Sequence, residues 1–94
     1  MSEEHVTVRF YAAAAEAAGT KEVTLAIDTN PMRLDDLIEA LPRALPETGS
    51  ATAPTLAGVC GYSSFLINAV QAKPSTSVLA PGDTLDILPP FAGG

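Results

Sequence analysis

The residues best suited to chemistry stand at the end of the sequence, where Pro89-Pro90-Phe91-Ala92 leads into Gly93-Gly94. The group on offer is the Gly94 carboxylate. With a pKa of about 3.5 it is ionised at neutral pH, and it is a poor electrophile until a good leaving group is attached. Glycine lacks Cβ, so this pair can thread a narrow slot and take backbone angles closed to other residues. Pro89 and Pro90 interrupt regular structure, so residues 89–94 are expected to form a flexible tail after the fold. A frayed terminus would look the same, so the pair alone decides nothing.

The side chains offer much less. Cys60 lies alone between Val59 and Gly61 and reads as a small packed hydrophobe. His5 has no second His or Cys at ligand spacing. No Ser/His/Asp set, metal cluster or phosphate-cradling loop is present.

The 94 residues suffice for one domain with a modest core, and 47% hydrophobic against 17% charged residues marks a globular chain. Eleven acidic against five basic residues give a net charge of −6. Nucleic acid is excluded as a partner, because phosphate contacts need clustered Lys and Arg. No apolar run reaches membrane-spanning length, and Met1-Ser2-Glu3-Glu4 is unlike a signal peptide. One cysteine allows no internal disulfide, and a cytoplasmic location is expected.

The elements follow from periodicity. Val6, Val8 and Phe10 alternate with Thr7, Arg9 and Tyr11, the pattern of a half-buried strand. Ala12 to Ala18 is a short helical segment closed by Gly19. Val23, Leu25 and Ile27 mark a second strand. Leu34, Leu37, Ile38 and Leu41 recur at i, i+3, i+4 and i+7, one face of an amphipathic helix bounded by Pro42 and Pro46. Asp35, Asp36 and Glu39 fall off that face and read as solvated. Glu47 to Ser64 reads as a long loop with room for a helical turn. Phe65-Leu66-Ile67 begins a strand, and Val70 belongs to it or to the next. Pro81-Gly82-Asp83 is a tight turn in which Gly82 takes positive φ and Asp83 serves the backbone. Thr84 to Leu88 is the last strand. One helix crossing a sheet of this order makes an α+β fold, the β-grasp. Its mixed sheet has four or five strands, with the first and last parallel at its centre.

Nearly the whole chain resembles the sulfur-carrier branch of the ubiquitin-like proteins, the MoaD/ThiS type, and within it the small subunits of molybdopterin synthase. The specific signal is Pro81-Gly82-Asp83, a strand, Pro89-Pro90, two variable residues and Gly93-Gly94. Val8 to Ala12, Leu34 to Leu41 and Ile67-Asn68-Ala69 resemble further family segments, with Ala69 standing where glycine is usual. Arg33 occupies the place where a Ser or Thr helix cap is common.

The resemblance implies a cycle. A partner similar to ubiquitin-activating adenylyltransferases uses ATP to adenylate the Gly94 carboxylate, and a sulfur donor converts the adenylate to a thiocarboxylate. The large subunit of molybdopterin synthase then receives the tail, and sulfur passes to a pterin precursor in molybdenum cofactor biosynthesis. Gly94 is carrier and substrate, Gly93 its slender lead, and the chain binds no cofactor and is non-catalytic alone. Two alternatives remain: a carrier for thiazole or cysteine synthesis, and a ubiquitin-like modifier.

Strand parity adds a docking surface. With Leu85, Ile87, Val6, Val8 and Phe10 on the core side, Tyr11, Asp86 and Leu88 face outward. Tyr11 and Leu88 end neighbouring parallel strands, so they should form an apolar patch with Phe91 at the root of the tail, beside Pro89, Pro90 and Ala92.

Overall fold

The computed structural model describes residues 4–27, 31–45 and 55–90. Among them run β1 (His5–Phe10), α1 (Ala13–Ala18), β2 (Glu22–Ala26), β3 (Met32–Arg33), α2 (Leu34–Ala44), α3 (Leu56–Cys60), β4 (Ser64–Ile67), β5 (Val70–Ala72), β6 (Val78–Leu79) and β7 (Thr84–Leu88). Five strands form a sheet in the order β2-β1-β7-β4-β5, with β3 and β6 paired separately. β1 runs antiparallel to β2 and parallel to β7, with Phe10 opposite Ile87, and β4 runs antiparallel to β7. This is the β-grasp arrangement expected of the sequence.

Alternation decides which face each side chain joins. Val6, Val8, Phe10, Phe65, Leu85 and Ile87 enter the core, where Leu34, Leu37 and Leu41 of α2 meet them. Burying a side chain of this kind contributes roughly 1.5–3 kcal/mol. Arg33 begins α2 without a side-chain cap, and Asp35 and Asp36 fill its first turn, where the helix dipole favours acids.

One expectation changes. Pro42 does not end the helix but sits inside it, and α2 continues to Ala44. Leu41 is wholly buried and its carbonyl accepts from the Leu45 N–H at 3.1 Å, so packing and this bond carry the turn past the proline. Pro46 lies outside the described residues. The stretch read as a loop with room for a helical turn holds that turn as α3, capped by the Thr55 hydroxyl and anchored by Leu56, Val59 and Cys60 in the core. Val78-Leu79 forms the short strand β6, and Leu79 is wholly buried.

Candidate functional site

The central strand β7 carries the chain to one end of the sheet, between the finish of β1 and the start of β4. The Tyr11 N–H donates to the Ile87 carbonyl at 3.3 Å, which extends the parallel register by one residue and sets Tyr11 beside Leu88. On the other side Leu88 pairs with Ser64. Tyr11 is 39% exposed. Leu88 is half-buried, Pro89 buried and Pro90 exposed. Tyr11 and Leu88 are thus neighbours across the parallel strands β1 and β7. Phe91, Ala92, Gly93 and Gly94 lie outside the described residues, and with them the Phe91 part of the expected patch.

One residue inward, the face is polar. Arg9 and Asp86 stand opposite each other in the register. Arg9 donates through Nε to Oδ1 at 2.6 Å and through Nη2 to Oδ2 at 3.1 Å. Asp86 is on the outward side of β7, as its parity requires, but it is buried, at 6% exposure. Alternation alone does not foretell that burial. The guanidinium is held above its ordinary pKa, chiefly by the hydrogen bond to Asp86 and then by its charge.

Beside Tyr11 the backbone turns sharply. Ala12 takes φ 52° and ψ −125°, a combination that a residue with Cβ adopts at a cost. The turn is tied by the Ala14 N–H to Tyr11 O at 2.9 Å and the Ala15 N–H to Ala12 O at 3.0 Å. It borders an open groove of about 420 Å³ lined by Arg9, Tyr11, Ala15, Lys21 and Glu22 among others.

The remaining candidates settle into structural roles. Cys60 is buried, and loss of solvation pushes its thiol up to about 11, so it is not a nucleophile at neutral pH. Asp83 accepts from the Ala80 N–H at 2.8 Å and the Asn68 side-chain amide at 2.9 Å, far from the tail end of β7. Gly82 has φ 91° as its turn requires. No group of three or more His, Cys, Asp or Glu able to hold a metal occurs among the described residues.

A mixed five-stranded sheet with parallel β1 and β7 at its centre defines a ubiquitin-like β-grasp protein. Residues 8–94 match the ThiS family, and the chain belongs to that family. No curated protein matches it. Among solved structures, small archaeal modifier protein 1 from Haloferax volcanii aligns with a TM-score of 0.72 and 27% identity, over 96% of this chain and 99% of that one. Small archaeal modifier protein 1 from Methanosarcina acetivorans aligns with a TM-score of 0.64 and 28% identity over the whole of both chains. A complex of subunits 1 and 2 of molybdopterin-converting factor from Helicobacter pylori aligns with a TM-score of 0.55. Its identity is 21%, over 96% of this chain and 99% of that one, a likeness of fold alone.

Proposed function

We propose that the chain is a sulfur carrier for molybdopterin synthesis. Its Gly94 carboxylate attacks the α-phosphate of ATP in the site of a ubiquitin-activating-like adenylyltransferase, and pyrophosphate leaves. A sulfide equivalent from a sulfur donor then displaces AMP at the acyl carbon, leaving a thiocarboxylate. The large subunit of molybdopterin synthase takes up the tail, and the sulfur passes to a pterin precursor. The acid–base groups for each step belong to the partners, and the cytoplasm is the compartment.

The observation that carries this reading is the exit of β7. A buried central strand ends at Leu88, beside Tyr11 in the register, and leads through Pro89 to an exposed Pro90, and the family match over residues 8–94 takes in Gly93-Gly94. The subunit complex from Helicobacter pylori supports a large-subunit partner. Intact mass of the protein from its native cell tests the role. One oxygen-for-sulfur exchange at Gly94 is expected, lost on deletion of Gly94. An unmodified terminus in cells actively making the cofactor would reject it.

A second reading has its own support in the two archaeal modifier structures, at 27% and 28% identity. A modifier uses the same adenylate but yields it to a lysine amine. Mass spectrometry would then find Gly94 in isopeptide linkage to lysines of other proteins.

A further inference from the structure

Both tyrosines and both lysines of the chain lie at the end of the sheet where β7 leaves it. Tyr11 follows β1 on one side of β7. On the other, Ser64 pairs with Leu88, and Tyr62 precedes Ser64 by two residues with 56% of its surface exposed. Farther out, the Lys21 carbonyl accepts from the Phe10 N–H at 2.8 Å, which sets Lys21 at the start of β2. Lys73 comes one residue after Ala72, the partner of Phe65, so it is level with Ser64 and Leu88 beyond β5. Both lysines are exposed. Across the sheet the sequence is lysine, tyrosine, tail, tyrosine, lysine. At about 4.8 Å per strand, the strands of the tyrosines are roughly 10 Å apart and those of the lysines roughly 19 Å.

Tyr62 stands on a fixed backbone. Its N–H donates to Val59 O at 3.2 Å, and the Ser63 hydroxyl donates to the same carbonyl at 2.7 Å. Val59 and Cys60 beneath it are core residues. An exposed aromatic ring on an ordered turn is the kind of group that anchors interfaces at low entropic cost. Charge is also distributed unevenly. At this end Arg9, Lys21 and Lys73 stand with Glu16, Glu22 and Asp86, and Arg33 and Asp35 form an ion pair near Lys73, where the Asp35 N–H donates to the Pro74 carbonyl at 3.2 Å, while the chain as a whole carries −6. Glu4 and Asp83 lie at the opposite end, before β1 and β7. An acidic partner surface can approach this chain only where its charge is neutralised, and the lysines hold the two corners there.

We infer that Tyr62, Lys21 and Lys73 complete the docking surface for the adenylating partner, a protein whose tail slot has an apolar rim on both sides and carboxylates beyond it. This rests on the carrier reading, which supplies the partner. The test follows pyrophosphate release by the enzyme that activates the wild-type chain. Tyr62→Ser should lower kcat/KM roughly tenfold through KM, with kcat within about twofold. Lys21→Glu with Lys73→Glu should lower it by a similar factor and flatten its dependence on salt. Val78→Ser and Glu39→Lys, exposed on β6 and α2, should change neither quantity. Circular dichroism must show each variant folded. If the wild type is activated while the Tyr62 and lysine variants match it, this docking surface is wrong and the carrier reading stands. If the wild type is not activated, both fall.

Discussion

Arg9 and Asp86 form a two-point ion pair across the central parallel strands, with Asp86 buried and Arg9 half open to solvent. The pair is coupled rather than additive. Removing the guanidinium leaves a buried carboxylate with neither of these hydrogen bonds, whereas removing both charges leaves an apolar strip on the sheet. Arg9→Ala should therefore lower the melting temperature more than Arg9→Ala combined with Asp86→Leu. Thermal unfolding of the two variants decides it, and a double variant less stable than the single one would show that the pair is not what holds this face.

The turn between β4 and β5 uses two residues with positive φ, Asn68 at 52° and Ala69 at 69°. That is the pattern of a tight hairpin turn in which Asn-Gly is preferred. Asn68 is kept for more than its backbone, since its side chain accepts from the Thr84 N–H at 3.0 Å and donates to Asp83. Ala69 has no such role in the described hydrogen bonds and carries only the steric cost of its Cβ. Ala69→Gly should stabilise the fold by about 0.5–1 kcal/mol, raising the melting temperature by several degrees. Ala69→Val should lower it.

The strands and helix that position the tail were readable because each repeats its pattern over several residues. Val6, Val8 and Phe10 have period two, and Leu34, Leu37 and Leu41 have the helical period, so the core side of β1 and α2 followed directly. Two-residue strands have no period. Leu79 is as buried as Leu85, yet its strand consists of Val78 and Leu79 alone and exists through pairing with Met32-Arg33. α3 falls in a stretch rich in small residues, where five residues give too little repetition to fix the bounds of the helical turn that the stretch has room for. The parity of β7 sets Asp86 on the outward face, but its ion-pair partner Arg9 is 77 residues away in sequence, and its burial does not follow from parity. The pairing of Ser64 with Leu88 also had to come from the structure, and only that pairing brings Tyr62 to the exit of β7.

Cys60 provides a pH probe of the core. Its thiol moves from an ordinary value of 9.0 up to about 11 because burial disfavours the thiolate. Between those values the unfolded chain releases this proton and the folded chain keeps it. The folded state then binds more protons, so stability falls as pH rises from about 9 to about 11 and is unaffected by this group below that window. Denaturant titrations at pH 8 and pH 10.5 should show a loss in the wild type that Cys60→Ala lacks. At neutral pH, alkylation of the native thiol should proceed only as fast as the protein opens.

Leu88 separates docking from folding. It ends β7 on the outward side, between Tyr11 and Ser64, and is only half-buried, whereas Ile87 before it is wholly buried in the core. Leu88→Asp removes about half of a buried side chain's contribution and sets a second carboxylate two residues from Asp86, so a stability loss of about 1–2 kcal/mol is expected. The partner loses more, because a charge now stands at the centre of the surface it must cover, and a fall in affinity of tenfold or greater should follow. Unfolding and titration with the activating enzyme must be measured on the same preparation. A variant that unfolds at room temperature would place Leu88 in the core, and one that folds and binds normally would move the docking surface away from the β7 exit.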